Sequence, residues 1–411
     1  MQEKQHTMTT YDCIIAGAGL SGFAAAVGAS QAGAKVLLID KMAAPGGSAV
    51  YAMTPVLSGW REFGIGNAVG RILADELQKI KAFEWRVSKI VTDEDSLQHA
   101  MSNILKRLNI DTLFSASLCG VEKTEDKISS VSVMTIDGVK KFTAENFVDA
   151  TGDAVLSMLA GAELITPCDE ESMTKTLMFK VRNVKNFDRD TVVKLFKENH
   201  EHFPVQITDS FMGLPLLDES EVLINLTAVT GNASDAESYS RMQSELYKQV
   251  GPVVDYLRRY IPCFADAVVS KTAPVVGVRY TRSVRGLRSL TLDDIFNPEM
   301  PPEPVAFCGN YIGGHYVKQY RSPWGYAITG NPAVPYGAIQ AKGIPNLLTA
   351  GRIIDADPKV ISAVRLAAGC LATGQAAGIA AALGVPSYDK LCTELEKQHC
   401  LDWLKKKDQN K

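Results

Sequence analysis

The chain opens its apolar patterning with the run CIIAGAG, then LSGFAAAVGASQAG, where small and apolar residues continue past the length of a strand, then a second apolar run, AKVLLID. Short apolar runs fit strands buried on both faces and the longer one fits a helix, so residues 11–40 predict a βαβ unit. Residues 75–108 carry mixed polar sequence with helical spacing. Three alternating runs follow, DTLFSASLCGVE, ISSVSVMTI and VKKFTAENFVDA, and predict a small strand meander with Asp137-Gly138 at a turn. After Gly161 the character changes. Thr166-Pro167, Phe203-Pro204 and the proline-rich residues 298–304 interrupt alternating strand and helix patterns, which predicts a separate domain. Near the C-terminus IPNLLTAGR reads as a strand leaving a turn at Gly343, residues 360–383 as a helix of small residues, and LEKQHCLDWLKKKDQNK as a charged helix with a solvated end.

Composition narrows the classes. A chain of 411 residues has room for two or three domains. With 46% hydrophobic and 22% charged residues it is globular rather than disordered. A net charge of -3 supplies no positive field for phosphate backbones, so no nucleic-acid partner is expected. The eight cysteines form neither CxxC nor a metal-type cluster, which predicts reduced thiols and no metal. MQEKQHTMTTYD lacks the basic-then-apolar order of a signal peptide, so a cytoplasmic protein is expected. Residues 366–385 carry no formal charge, but alanine and glycine dominate them. Such a segment gains little in lipid and lets backbones approach closely, so a buried helix is expected and no membrane partner.

Gly17, Gly19 and Gly22 form GxGxxG between the first strand and its helix, and Asp40 closes the second strand. The first glycine permits the tight turn, the second lets a pyrophosphate reach the backbone, and the third lets helix pack on strand. Free N–H groups at the helix start hold phosphates, and an acid at the neighbouring strand tip accepts from ribose hydroxyls. The motif predicts a dinucleotide site without choosing between NAD and FAD.

Three further segments bear on that choice: Lys41-Met42-Ala43-Ala44-Pro45-Gly46-Gly47-Ser48, Phe147-Val148-Asp149-Ala150-Thr151-Gly152-Asp153, and Asn346-Leu347-Leu348-Thr349-Ala350-Gly351-Arg352 with Ser362-Ala363-Val364-Arg365 and Gly374-Gln375-Ala376-Ala377-Gly378 beyond it. With them the sequence resembles FAD-dependent oxidoreductases of the glutathione-reductase-like superfamily, in particular the branch related to fumarate reductase flavoproteins. The resemblance extends to SMTKTLMFKVRNV, VLINLTAVTGNASD and VGVRYTRSVRGLRSLTLDDI. It implies an α/β fold, a Rossmann-like FAD-binding domain (GR2-type) with an inserted α+β substrate domain. The implied division is a flexible N-terminus over 1–10, the FAD-binding domain over 11–163 and 342–386, the inserted domain over 164–341, and a C-terminal helix and tail over 387–411.

The resemblance further implies that Gly17, Gly19 and Gly22, with Leu20 and Ser21, face the pyrophosphate. Asp40 would face the adenosine ribose, and Gly46, Gly47 and Ser48 the ribityl side. Thr151, Gly152 and Asp153 would complete the nucleotide end, with Lys41 and Leu118 in the same cofactor set. Gly351 and Arg352 would meet the ribityl-phosphate region, while Ala367, Ala368 and Gly369 would start a helix aimed at the flavin, its partial positive charge favouring the reduced ring. Relatives with covalent flavin carry a histidine that has no counterpart near Lys41, so the FAD is expected to be noncovalent. Relatives often have proline at the position of Ala368 and arginine at that of Gly337, so a substrate-binding arginine is not expected there.

Arg365 lies in an otherwise apolar stretch and needs an anionic partner, which is a substrate, the flavin, or Asp355 or Asp357. His315, in CGNYIGGHYVKQY, is a candidate proton acceptor, against an ordinary loop histidine. Tyr311, Tyr316, Tyr320, Trp324 and Tyr336 are candidates for a pocket wall, with Tyr336 taken as catalytic, or for a packed aromatic core. Arg279, Arg282, Arg285 and Arg288 recur every three residues as a basic wall or, by preference, a salt-bridged face. Cys370 stands near the expected flavin, although a small buried cysteine is the default. The expected activity is hydride transfer between flavin N5 and a small organic substrate, anionic where it pairs with an arginine. Alternatives are a flavin monooxygenase or hydroxylase, and an electron-transfer subunit serving a protein partner. The external electron donor or acceptor is not named by the sequence.

Overall fold

The computed structural model describes residues 10–60, 68–86, 89–167, 173–205, 210–297, 299–309, 311–313, 326–328 and 332–404. The expected N-terminal segment up to residue 9, His315, Tyr316, Tyr320 and Trp324 lie outside these.

Strand β1 (Thr10–Ala16), helix α1 (Leu20–Gln31) and strand β2 (Val36–Ile39) form the expected βαβ unit, with Cys13 opposite Val36 in parallel register. All four residues of β2 are buried, as a strand covered on both faces requires. Helix α2 (Gly47–Tyr51), α3 (Ala68–Lys79) and α4 (Glu94–Arg107) follow, the last capped by Asp93, whose side chain accepts from Ser96 N.

The run DTLFSASLCGVE is two strands rather than one. β3 (Asp111–Leu113) joins β2 in parallel, whereas β4 (Ser117–Thr124) pairs with β5 (Lys127–Thr135) in the antiparallel meander. Ser115 between them takes a left-handed φ of 52°, and the N–H groups of Ser115 and Ala116 donate to Met42 and Asp40 carbonyls, which turns the chain. β6 (Gly138–Asp149) serves both parts: its start pairs with β5 and its end runs parallel to β1.

A second, antiparallel sheet has the order β8-β9-β7-β10, from β7 (Phe179–Arg182), β8 (Gly213–Pro215), β9 (Val222–Ile224) and β10 (Val268–Thr272). Leu177, Phe179, Ile224 and Leu226 point to a core filled by Phe196, Phe203, Phe264 and the buried side of helix α5 (Ala236–Tyr260). Leu290, Val305, Phe307, Val334 and Ile339 pack instead into the core of the first sheet. The buried pair Lys180–Glu94, 2.7 Å apart, ties β7 to α4.

The chain then returns. β11 (Leu347–Thr349) lies parallel to the end of β6, so the parallel part of the first sheet reads β3-β2-β1-β6-β11. Residues 360–383, expected as one helix, are two: α6 (Pro358–Val364) and α7 (Ala367–Ala382), bent by 90°. Leu366 is extended there (ψ 153°), packed where a side chain on Gly309 would strike it at 2.4 Å, and Gly369 sits against the Val364 carbonyl. A new helix start is the consequence. α7 packs along α1 as expected of small residues: a Cβ on Gly374 or Gly378 would fall 2.1 Å from Ser21 O or 2.0 Å from Ala25 O. Helix α8 (Tyr388–Lys397) follows; the run LEKQHCLDWLKKKDQNK, expected as one charged helix, breaks after Lys397, where His399 takes a left-handed φ of 57° and Cys400, Leu401 and Trp403 turn into the first core. Among the described residues no single helix is long and apolar enough to cross a membrane.

Candidate cofactor and substrate cavity

The starts of α1 and α7 open on one cavity of about 1500 Å³. Gly17 makes the turn after β1 at φ +96°, where a Cβ would fall 2.4 Å from Ala150 O. Gly22 lies behind it, its Cβ position 1.6 Å from Gly17 O, so it packs helix on turn and does not line the cavity. Gly47 (φ +51°) faces Gly19 backbone to backbone, a Cβ there falling 2.6 Å from Gly19 Cα. Side chains at either position would fill the cradle. α1 starts without a side-chain cap or an acid in its first turn, so its N–H groups remain for a phosphate. Asp40, at the end of β2, lines the cavity and accepts from the N–H groups of Ala18 and Met42 (2.7 Å). Burial raises its pKa despite these bonds.

The opposite bank of the nucleotide end is tied together by Arg352. Its Nε donates to Gly152 O at 2.6 Å and its Nη2 to Asp153 Oδ1 at 2.8 Å. Thr281 also donates to that carboxylate at 3.0 Å, and Arg282 Nε donates to the Asp153 carbonyl at 2.7 Å. Burial alone would raise the Asp153 pKa, but Arg352 and Lys41 overcome it and hold the group below its ordinary value.

Arg365 ends α6 at the break, lines the cavity, and donates from Nη2 to Gly313 O at 3.3 Å. Asp355 is engaged by Arg285 at 3.3 Å and by Gly286 N, and Asp357 caps α6 through Lys359 N. Leu366, Ala367 and Cys370 line the cavity beside Arg365. Burial raises the Cys370 thiol, against the pull of Ser21, Arg352 and Arg365.

The far wall comes from the second sheet and the strand Lys89–Val91. Met178, Met212, Leu214, Leu223 and Phe211 give it an apolar surface, interrupted by Thr176 and Asn225. Lys89 and Arg189 stand at its edge, where burial first and then Arg189 lower the Lys89 pKa. Arg189 also donates to Gly213 O at 3.1 Å.

Gly17, Gly19, Leu20, Ser21, Asp40, Lys41, Gly46, Gly47, Ser48, Thr151, Gly152, Asp153, Arg352 and Arg365 thus share one cavity. Leu118, Gly351, Ala368, Gly369 and Tyr336 are not in its lining. Leu118 packs in the meander, Gly351 backs onto Ser21 Oγ, and Ala368 and Gly369 face the protein side of α7. Tyr336 is 3% exposed in the first core, and burial and Glu303 raise its pKa. Tyr311 does line the cavity. Of the four spaced arginines only Arg279 lines it; Arg282 donates to Asp153, Arg285 pairs with Asp355 and Arg288 with Asp294. The wall residues Thr176, Met178, Leu223 and Asn225 escaped sequence reasoning, because the strand Val222–Ile224 is too short for its spacing to assign faces and Thr176 precedes the strand Phe179–Arg182.

A family model described as FAD dependent oxidoreductase matches residues 12–393. A comparison with curated proteins finds no match. Among solved structures, the chain is similar to a geranylgeranyl bacteriochlorophyll reductase-like protein from Thermoplasma acidophilum, with 14% identity and a TM-score of 0.52, covering 97% of this chain and 87% of that one. It is also similar to the myxobacterial chondrochloren halogenase CndH, with 14% identity, a TM-score of 0.52, and coverage of 95% and 79%. The flavin-dependent brominase Bmp2 is similar at 12% identity and a TM-score of 0.51, with coverage of 95% and 83%. Those likenesses show the fold, a mixed α/β architecture around a Rossmann-like sheet. The glycine cradle, the open helix starts and the acid at the tip of β2 fit FAD, and with the match over residues 12–393 they place the chain in the FAD-dependent oxidoreductase family, as a flavoenzyme.

Proposed function

We propose that the protein transfers a hydride between noncovalent FAD and a small organic substrate held against the second sheet. The carrying observation is the single cavity of about 1500 Å³ that joins the glycine cradle to that sheet. Ligand sites commonly occupy ~300–1,000 Å³, so there is space for cofactor and substrate end to end. FAD, when bound, supplies hydride chemistry at N5. In this reading Gly17, Gly19, Ser21, Gly46 and Gly47 hold the phosphates and ribityl chain, and Asp40 takes the ribose. Gly152, Asp153 and Arg352 fix the opposite bank. Arg365 and the open start of α7 offer positive charge to the ring or to an anionic part of the substrate. Residues 164–341 would form the inserted substrate domain. The motifs at residues 147–153 and 346–352 support placing the chain near the fumarate reductase flavoproteins, in the glutathione-reductase-like superfamily. The seven described cysteines are all free thiols, which fits a cytoplasmic setting.

The halogenase and the brominase that share the fold make a nicotinamide-reduced oxygenase the competing reading. Anaerobic rapid mixing separates them. Slow or absent bleaching of the bound FAD by NADH and NADPH, with bleaching by an organic donor or reoxidation by an organic acceptor, is the expected result. Fast bleaching by a nicotinamide would replace it with the oxygenase reading. Reduction by a protein donor alone would point to an electron-transfer subunit.

A further inference from the structure

Helix α5 is laced along the segment that leaves β10. Tyr239, Gln243 and Tyr247 stand four residues apart and so share one face of the helix. The Tyr239 hydroxyl accepts from Val276 N at 3.0 Å, Gln243 Nε2 donates to Pro274 O at 3.2 Å, and the Tyr247 hydroxyl donates to Ala273 O at 3.2 Å. Asp235 caps the helix, its carboxylate accepting from Ser238 N at 2.7 Å. The first turn of α5 is therefore held by the chain's own bonds.

Of the three laced side chains Tyr239 alone lines the cavity. It is half-buried, packs on the second core, and has Ala236, Val275 and Val276 beside it in the cavity lining. Its electrical surroundings show which end of the cavity this is. Burial raises the pKa of the Tyr239 hydroxyl, the bond from Val276 N lowers it, and Asp153 and Arg352 act on it with opposite signs. Asp153 in turn feels Lys41, the neighbour of Asp40. Tyr239 thus stands at the bank of Gly152, Asp153 and Arg352, facing the acid that takes the ribose in the reading above. A ring tied at its hydroxyl has little rotamer freedom left to lose when a ligand packs on it. Flat bases gain by stacking on such a ring, and no charge on the wall is needed.

We propose that Tyr239 is a cofactor-binding residue supplied by the second sheet's side of the cavity, its ring packing on the adenosine half of FAD, with the Val276 N–H positioning that ring. The cofactor is then gripped from two sides, by the glycine cradle and Asp40 from the first sheet and by the start of α5 from the second. FMN, which has no adenosine, cannot make the second contact. The contact concerns the cofactor alone and holds for a hydride-transfer enzyme and an oxygenase alike.

The experiment compares FAD and FMN on the full chain, FMN being exchanged in by dialysis, with affinities read by fluorescence titration. Tyr239→Leu should weaken FAD about tenfold, the scale of one base stacked on an aromatic ring, and change FMN by less than about twofold. Tyr239→Phe, which keeps the ring, should hold FAD within about threefold of the native protein. In the native protein, amide hydrogen exchange over residues 236–243 and 273–278 should be at least about threefold slower with FAD than with FMN, a readout that needs no variant. If the native protein does not retain FMN, ADP serves as the adenosine-bearing competitor and should lose the same factor as FAD in Tyr239→Leu. Unchanged FAD affinity in Tyr239→Leu, an equal loss for FAD and FMN, an undiminished ADP affinity, or equal exchange with the two flavins would overturn the proposal.

Discussion

Removing the Arg352 side chain tests how the nucleotide end is held. Its guanidinium is 15% exposed and the Asp153 carboxylate 28%, so the pair lies between a surface and a fully buried ion pair. Exposed pairs contribute ~0.2–1 kcal/mol, whereas breaking a buried one costs ~3–5 kcal/mol. Arg352→Met should therefore lower stability by about 2–3 kcal/mol, part of it from the lost bond to Gly152 O, and weaken FAD binding about tenfold. Arg352→Lys keeps the charge but not the two-pronged contact, and about half of the loss should remain. The sign of the pH dependence follows from Asp153, whose folded pKa lies below its ordinary value. A depressed carboxylate stabilises fully above its unfolded pKa of ~3.9 and loses that contribution as pH falls through the folded value. The gap between native and Arg352→Met proteins should thus be constant from neutral pH to about pH 5 and shrink in stronger acid. Urea unfolding followed by circular dichroism, with FAD fluorescence titration, measures both quantities. A loss below about 1 kcal/mol, or an equal loss when Asp153→Asn is already present, would refute the reasoning.

The Lys180–Glu94 pair, 6% and 1% exposed, should show the buried-pair pattern: Lys180→Met costs about 3 kcal/mol in urea midpoints, softened by Lys271 at 3.9 Å from Glu94, and adding Glu94→Gln restores at least half. Gly378→Val places atoms where only 2.0 Å separates a Cβ from Ala25 O, so it should cost at least about 3 kcal/mol or prevent recovery of folded holoprotein. Asp40→Ala should weaken FAD binding about tenfold, read by fluorescence titration, because the acid lines the cavity and also fixes Ala18 N above the glycine turn. Arg365→Met should keep FAD, lower the flavin potential in spectroelectrochemistry, and reduce turnover by roughly ten- to a hundredfold; a loss confined to thermal stability would make Arg365 structural only.

The nucleotide half was legible because local rules and tertiary structure agree there. The apolar strands, the glycine turn and Asp40 sit within residues 11–40, and their spacing follows directly from backbone geometry. The small-residue segment was equally readable, since Gly374 and Gly378 are needed only where α7 touches α1. The break at Arg365 and Leu366 was not: apolar sequence continues across it, and the contacts that impose it come from Gly309, far away in sequence. The strand split at Ser115 has the same origin, in bonds to Met42 and Asp40. In the second sheet the strands Gly213–Pro215 and Val222–Ile224 are too short for periodicity to assign faces, so Asn225 could not be told from a turn residue.

What joins the two walls of the cavity is the loop at Gly152 and Asp153. It leaves β6 in the first sheet, is gripped by Arg352 after β11, and receives Thr281 and Arg282 from the segment that follows the second sheet. That same segment passes Gly277, which pairs with Thr176 on the cavity wall, and Val276, whose N–H donates to the Tyr239 hydroxyl at the start of α5. The positions of the cofactor bank and of the Thr176–Asn225 pair are therefore set by one short stretch of chain, residues 276–282. A displacement of that stretch would disturb both together. Hence substitutions at Thr281 or Arg282 should disturb cofactor affinity and the position of Thr176 on the wall alike, although neither residue lines the cavity itself.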